Sequence, residues 1–589
     1  MDAPRSSPTA LNRRTVIGGI LPLASATAAR AAHLPSPTAL LPRASDIIVS
    51  LRNTGNLPPE EFLRNAEICL NTYRPNRVEW HYLSSSKSIR DLKSKWGIKY
   101  IGATINANAP IKSDEGLARD FDGKAIVAPW MRAPGWNARW ITVASEQTRD
   151  VLLSQIDNCL TSGADGLQVD DGWFQWVAEM WGAGDFSEAS IKGFGPWLAT
   201  HISPIKLREL KITANPDFNF RAWLQNTHGI QNAAEYRRRR EGLPGIDLWR
   251  RYLAKNVLQF WTEMRAHVRA QAPRAPISGN LGLVRPDETF VGLSGYMDYT
   301  VSELPVDREP SAYALWGATA EAVSLPFVAC FSGRTSDKRY RHLISAAFSS
   351  GINPAAPWDV FVPNIGEIIQ PRHSPDPAAF ADLYDFVRKH RRLIDGWRGA
   401  GNIAVVVPVA AYSNSAVVSL SERLVNAQVP FVILPVDSEY CDLAPRLAGI
   451  KTLALAQPRA KYSLSTLKMI SQSGLAVLTA EQLDPRWLTG QSVGLLTGTP
   501  GWRLSTRCMV DNSRKWIVHV TPSLAEASIF KGSVTFHRSG QYKLSPRTRL
   551  RVFRPNSEQM TVIPSSVSTQ TIVYQIPEIA DWAILEPTD

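Results

Sequence analysis

Cysteine is scarce in this chain: five residues in 589, at Cys69, Cys159, Cys330, Cys441 and Cys508, with no C-x-x-C pair. That spacing excludes a zinc ribbon or finger and provides no disulfide framework. The odd number leaves at least one thiol unpaired unless it joins another chain. Cys159 and Cys330 sit in apolar segments and are expected to pack as small hydrophobes. Also missing are a G-x-S-x-G elbow, a phosphate-binding P-loop and a dinucleotide fingerprint, so those chemistries have no support. No apolar run reaches the length of a membrane span. Acidic residues are in deficit, 53 Asp and Glu against 65 Lys and Arg, for a formal charge of +12. Part of the excess is the run Arg237-Arg238-Arg239-Arg240. No nucleic-acid motif and no basic stripe interleaved with aromatics accompanies it. One solvated basic helix is therefore expected, with no nucleic-acid partner; an acidic polysaccharide also suits the charge.

The chain does have aromatics and a distinctive beginning. Nineteen Trp, with 15 Tyr and 19 Phe, supply flat apolar faces with polar edges, which suit sugar rings. Asn12-Arg13-Arg14-Thr15-Val16-Ile17 precedes a short apolar run ending near Ala24, followed by small residues with Ala29-Arg30-Ala31 as the expected cleavage site. This is the layout of a twin-arginine signal peptide over 1–31, and it predicts a periplasmic or secreted protein.

At this length two or three domains are expected. After a linker at 32–45, apolar strand-like runs alternate with helical patterns to about 398, which predicts an α/β architecture with parallel strands. The strand runs are Val78-Tyr82, Lys99-Ile105, Ala125-Met131, Leu167-Asp170, Ile277-Leu281, Tyr296-Val301, Phe327-Phe331 and Ile352-Ala356. Eight is the count for a closed (β/α)8 barrel at 46–398. Helical patterns at Ser145-Thr161 and Leu248-Ala270 lie between them. The stretch 180–246 is too long for an ordinary βα connection and reads as a helix-bearing insertion that shapes the cleft. Four short buried strands then predict a doubly wound α/β domain at 399–495, which lacks a nucleophile Cys on a tight turn and is expected to serve packing or homo-oligomer contact. Alternating strands predict a β-sandwich at 496–589.

The strongest site signal is Gly166-Leu167-Gln168-Val169-Asp170-Asp171-Gly172-Trp173. Barrel chemistry sits at the C-terminal ends of strands, and this strand, the fourth, ends in two carboxylates. Alternation puts Gln168 and Asp170 on one face. A polar Gln168 does not suit the outer helices, so that face is the lumen. Asp-Asp-Gly is also ordinary turn chemistry, and adjacent Asp suits a hard cation. No supporting carboxylate or His cluster lies nearby, so neither metal nor cofactor is expected. Glu303, just past the sixth strand, is the second carboxylate, and Pro305 stops that strand. Glycosyl transfer needs such a pair, one carboxyl to protonate the leaving oxygen and one to attack or to activate water. Asp170 is assigned as nucleophile and Glu303 as acid/base, with Asp171 binding a hydroxyl or acting as base. Sugar contacts are expected from Glu79, Trp80 and His81 of the first strand run, Asn106, Trp173, Asn280, Arg334, Trp358 and Asp359. Asp298, deeper on strand six, is expected to orient the site.

The order of barrel, doubly wound domain and small β domain resembles the family 42 β-galactosidases and related glycosidases, whose middle domain is amidotransferase-like without amidotransferase chemistry. Asp185 to Ala199 (DFSEASIKGFGPWLA) is similar to the rim helix of that group. Their Asn-Glu pair after strand four is replaced here by Asp170-Asp171, so β-galactosidase activity is not implied. The string DDGW at 170–173 is similar to a substrate-binding motif of α-galactosidase-type enzymes, although their K-x-D nucleophile motif has no match. That clan carries its nucleophile after strand four and its acid/base after strand six, which implies a retaining mechanism for Asp170 and Glu303. The expectation is a glycoside hydrolase or transglycosidase acting on oligo- or polysaccharide. The rival is a non-catalytic glycan-binding or polysaccharide-assembly protein on the same scaffold.

Overall fold

The computed structural model describes residues 40–52, 59–82, 86–108, 114–132, 138–213, 215–363, 373–441, 446–512, 514–538 and 544–588. The expected signal peptide and most of the linker lie outside the described residues.

Eight strands run in sequence order around one sheet: β1 Ile48–Ser50, β2 Arg77–His81, β3 Tyr100–Asn106, β4 Gly166–Asp170, β5 Ile277–Gly279, β6 Tyr299–Pro305, β7 Phe327–Ser332 and β8 Ile352–Pro354. All neighbours from β1 to β8 pair in parallel. The Ala356 N–H donates to Ile48 O at 2.8 Å and links the two ends of the ring. This is the expected (β/α)8 barrel, with two corrections to its strands. Ala125–Met131 is not a strand. Pro129 opens a single 3-10 turn over Pro129–Met131, as suits a residue with fixed φ and no N–H to give a ladder. Ile48–Ser50, not foreseen, is β1, so the Val78–Tyr82 run belongs to the second strand and Lys99–Ile105 to the third.

Alternation divides each strand between lumen and helices. Ile47, Val49 and Leu51 join the main apolar cluster with Ile101, Ala103, Leu167, Val169 and Leu304. Ile48, Trp80, Tyr299, Val301, Val328 and Cys330 form a separate cluster inside the ring. Lower in the lumen, Arg77 pairs with Glu79, the Tyr299 hydroxyl donates to Glu79 Oε2 at 3.0 Å, and Tyr100 and Tyr299 hydroxyls meet at 2.9 Å. The Arg77 guanidinium lies 3.4 Å from the Tyr100 ring centroid. Burial raises the Glu79 carboxyl and Arg77 opposes it. Glu79 is thus part of a buried polar layer and not a sugar contact. The layer also explains Gly166: a Cβ there would stand 2.1 Å from the Tyr100 hydroxyl and 2.8 Å from Pro276 O.

Helix Glu146–Thr161, capped by Ser145 through the Thr148 N–H, and the long helix Ile246–Gln271 cover the ring near β4. The insertion folds into helices Glu188–His201, Pro204–Glu209, Phe220–His228 and Ala233–Arg239. They have their own core, including Phe194, Phe220 and Tyr236, packed on Trp249 and Tyr252 of the long helix. Buried Glu179 fastens it, accepting from the Tyr236 hydroxyl at 2.6 Å and Arg250 Nε at 3.1 Å.

Beyond the barrel, β9 Trp397–Gly399 is followed by a parallel sheet of β10 Ile403–Pro408, β11 Phe431–Val436, β12 Thr452–Leu455 and β13 Ala476–Thr479, in the order β11-β10-β12-β13. Ile403, Val405 and Val407 face helix Asn414–Asn426 in one cluster, and Ala404 and Val406 face Ile470 of helix Leu464–Gln472 in another. Both faces are covered, which is the doubly wound arrangement. Next come β14 Gly494–Gly498, β15 Trp502–Met509, β16 Trp516–Pro522, β17 Phe530–His537, β18 Arg549–Phe553, β19 Met560–Val562, β20 Ser566–Val567, β21 Thr571–Ile579 and β22 Ala583–Thr588. They form antiparallel sheets ordered β14-β17-β21-β20 and β19-β18-β22-β16-β15-β9 over a shared core that includes Val518, Val534, Leu550 and Tyr574. The edge strand β9 pairs with β15, so Trp397 and Arg398 belong with this sandwich although the sequence reading ended the barrel at 398.

Candidate active site

The upper lumen is built from the last inward residues of several strands. On β4 the alternation Gly166, Gln168, Asp170 faces inward, and Asn106 of β3 stands in register with Asp170. Asp170 collects four donors. Asn280 Nδ2 reaches Oδ1 at 2.7 Å; Trp80 Nε1 and Asn106 Nδ2 reach Oδ2 at 3.2 and 3.3 Å; the Tyr82 hydroxyl also donates to Oδ2. That hydroxyl in turn accepts from Trp80 Nε1 at 3.3 Å and Asn106 Nδ2 at 3.2 Å.

Trp80 arrives there through an irregularity. Val78 pairs with Ile101 but His81 with Ala103, so β2 carries one residue more than its partner. Trp80 takes φ of +55°, a left-handed conformation that costs a non-glycine residue about 1–3 kcal/mol. The bulge aims the indole into the lumen and turns His81 toward β1, where Nδ1 lies 3.1 Å from Leu51 O. Burial lowers the His81 pKa. His81 is a core histidine, a correction to its expected sugar contact.

Asp171 also has a left-handed backbone, φ +55°, as the strand turns into helix Phe174–Met180. Trp261 of the long helix holds this turn, donating from Nε1 to Gly172 O at 2.7 Å. A Cβ on Gly172 would sit 2.6 Å from the same ring.

Glu303 follows Tyr299 and Val301 on the inward face of β6, and its N–H donates to Gly282 O at 3.2 Å. It keeps part of its surface open, yet desolvation pushes its carboxyl up to about 7, with Asp170 adding to the rise and Arg52 opposing it. Burial also raises Asp170, against the pull of Tyr82, Asn280 and the Arg52 charge. Asp171 is raised well above the usual range by burial and by the charges of Asp170 and Glu303. The three carboxyls therefore act on one another at one end of the barrel. Asp170, with its donors and a nearby cation, ionises before Asp171.

Arg52, at the end of β1, escaped the sequence reading because its strand did; the alternating run Ile47 to Arg52 was the available signal. Its guanidinium lies 4.4 Å from the Trp80 ring centroid and donates to Asp359 O at 2.8 Å, while Asp359 Oδ2 accepts the Arg52 N–H at 2.6 Å. Asp359 thus positions Arg52. Tyr82 was inside a foreseen strand run but was not singled out.

The structure gathers Trp80, Asn106, Asp170, Asp171, Asn280, Glu303 and Asp359, and sets Asp298 apart from them. Asp298 precedes β6 at the opposite end of the barrel, its carboxylate accepting from Arg269 Nη2 at 2.6 Å, Arg265 Nη2 at 3.3 Å and the Ile277 N–H at 2.8 Å. Its expected role in orienting the site is corrected to that of an ion-pair latch. Arg334 is exposed on the segment after β7 and acts on Tyr340 and His373. Trp173 and Trp358, expected as open stacking faces, are buried in the main apolar cluster.

No protein-family profile matches the sequence, and no curated protein is similar to it. Solved structures do share its fold. The β-galactosidase of Bacillus circulans sp. alkalophilus is similar over 91% of this chain and 99% of its own, at TM-score 0.61 and 11% identity. A GH42 β-galactosidase from G. stearothermophilus matches over 93% and 100%, at TM-score 0.61 and 8% identity. That of the psychrophilic Marinomonas ef1 matches over 92% and 99%, at TM-score 0.54 and 12% identity. The family 42-like architecture is thus present across the chain, and at these identities the likeness is one of fold.

Proposed function

We propose that the protein is a glycoside hydrolase or transglycosidase acting on an oligo- or polysaccharide, with Asp170 as nucleophile and Glu303 as acid/base in a retaining mechanism. One observation carries this reading: two carboxyls from β4 and β6 share one end of the lumen in unlike environments. Burial raises both carboxyls, but four donors and the Arg52 charge pull Asp170 back toward its anion, whereas Glu303, pushed up to about 7, keeps a proton near neutrality. Carboxyls whose environments push their protonation apart are suited to divide acid and nucleophile between them. Asp171, raised by burial and by the charges of Asp170 and Glu303, would hold a sugar hydroxyl or, once ionised, activate water. The residues in these roles call for no metal or cofactor. That solved structures of this fold include β-galactosidases adds to the reading, while Asp170-Asp171 in place of Asn-Glu argues for a different glycoside.

A second reading is glycan binding without cleavage. The saturation of Asp170 favours it, because both carboxylate oxygens are already engaged. A panel of oligosaccharides of varied linkage separates the two. Hydrolysis or transfer by wild type, reduced by orders of magnitude in folded Asp170→Asn and Glu303→Gln, supports the enzyme. Binding without product from any member of the panel supports the lectin-like protein.

The arginine pair Arg13-Arg14 supports export to the periplasm or beyond. Replacing both with Lys in a producing bacterium is expected to leave the unprocessed chain in the cytoplasm; undiminished export would refute the assignment.

A further inference from the structure

The six-stranded C-terminal sheet gives one face to its sandwich partner and the other to the barrel. On β15, Trp502, Leu504 and Cys508 enter the sandwich core. Arg503, Ser505 and Arg507 point the other way, opposite Thr521, His519 and Ile517 of β16. Barrel helix Asp337–Ser349 lies against this face, and Ser349 O accepts the Ser505 hydroxyl at 2.8 Å.

The buried face is cationic. Arg503 is 3% exposed, Arg507 5% and His519 1%. Arg507 has a counter-charge in Glu321 Oε1 at 2.5 Å and a second acceptor in Trp397 O at 2.9 Å. Arg503 has none: one nitrogen donates to the Ser350 hydroxyl at 3.1 Å, its Nε–H lacks an acceptor, and no carboxylate pairs with it among the described residues. Nearby, His519 Nδ1 accepts from Trp582 Nε1 at 3.1 Å, which leaves the proton on Nε2, another buried donor without an acceptor. Burial alone lowers Arg503 to about 10, and His519 is held far below its usual range by burial and by both arginines.

Arg503 and Arg507 border a cavity of about 60 Å³, with Ser350 and Glu321 of the barrel and Gln428 of the α/β domain. At roughly 10–15 Å³ per water it has room for several waters or one small anion. Water would satisfy the Arg503 Nε–H but leave its charge uncompensated; an anion satisfies both.

We propose that this cavity is an anion site, in which a small inorganic anion, halide or tetrahedral oxyanion, binds Arg503 and joins the barrel, the α/β domain and the sandwich. The proposal is independent of the assignment at Asp170 and Glu303. It is tested on the full chain by thermal unfolding at constant ionic strength in sodium chloride, bromide, sulfate, phosphate and the bulky gluconate. Sulfate and phosphate also raise melting temperatures by exclusion from protein surfaces, so the readout is the difference between wild type and Arg503→Met. A saturable rise of several degrees, confined to wild type and to either the halide or the oxyanion arm, supports the site and identifies its ligand. Equal responses in the two proteins overturn it. Should Arg503→Met fail to fold, wild-type crystals soaked in bromide or selenate decide the matter: an anomalous peak within hydrogen-bond reach of Arg503 supports the site, and a cavity without one overturns it.

Discussion

Asn280 gives Asp170 the shorter of its two side-chain amide hydrogen bonds, 2.7 Å from Nδ2 to Oδ1, and it is the donor that serves Oδ1 while Trp80, Asn106 and Tyr82 serve Oδ2. Oδ1 is therefore the less encumbered oxygen and, in the proposed reaction, the one that would approach a sugar carbon. Asn280→Ala removes a donor that favours the carboxylate. A hydrogen bond to a charged group contributes about 1.5–3 kcal/mol, so turnover is expected to fall by roughly 10- to 100-fold. The acid limb of the kcat/KM profile should move to higher pH, as Asp170 becomes harder to ionise. An unmoved limb would separate Asn280 from the ionisation of Asp170.

In the proposed mechanism Glu303 would set the other limb. Its carboxyl at about 7 is protonated below neutrality, so an acid role predicts activity declining above pH 7. Stability follows with a definite sign. The folded pKa exceeds the unfolded value of about 4.3, so the folded state holds the extra proton between them. The resulting stabilisation is complete below about pH 4 and is lost as pH rises through 7. Glu303→Gln removes this dependence. At pH 8–9 the variant is expected to be more stable than wild type, by at most about 4 kcal/mol, and the gap should close in acid. A variant that melts lower at every pH would mean that the side chain is structural.

Asp298 predicts the opposite separation of stability from chemistry. It is buried between Arg269 and Arg265, and breaking a buried pair from one side costs about 3–5 kcal/mol. Asp298→Ala should unfold at much lower denaturant concentration while its folded fraction keeps the wild-type kcat. A lost kcat in well-folded protein would return Asp298 to the site.

Gly166→Ala is expected to destabilise by about 1–3 kcal/mol through overpacking against the Tyr100 hydroxyl. Adding Tyr100→Phe should recover part of the loss, the remainder coming from Pro276 O. Chemical denaturation of the two variants measures both terms; additive losses would show that the lumen layer does not set this glycine.

Much of this arrangement was readable from the chain because β4 alternates cleanly, polar Gln168 and Asp170 inward against apolar Leu167 and Val169 outward, while Glu303 was legible from its place at the C-terminal end of an apolar strand run. The strand count reached eight by two compensating errors. Ile48–Ser50 is short and directly follows an Ala/Pro/Ser-rich stretch, so its alternation was overlooked. Ala125–Met131 is apolar enough for a strand, but Pro129 commits it to a turn. Asp170 and Glu303 stayed on the fourth and sixth strands because the errors cancelled before β4. The bulge at Trp80 was out of reach of periodicity, since one inserted residue changes which side chains face inward. For the same reason His81 was misplaced and the bonding of Tyr82 went unforeseen. Asp298 was misjudged by direction: it lies on the right strand run, at its wrong end.

The contact between Arg52 and Asp359 has a kinetic consequence. The Arg52 N–H meets the Asp359 carboxylate across 307 positions of chain, at the seam where β8 returns to β1. Such a contact has nearly the largest sequence separation the barrel offers, and its loop-closure entropy is met only after the intervening strands are in place. The Arg52 charge that steadies Asp170 and Glu303 is thus among the last features to arrive. An incompletely wound barrel, however compact, lacks it. During refolding, recovery of function should lag behind the tryptophan signal of collapse, which makes the site a reporter of ring closure as well as a place for chemistry.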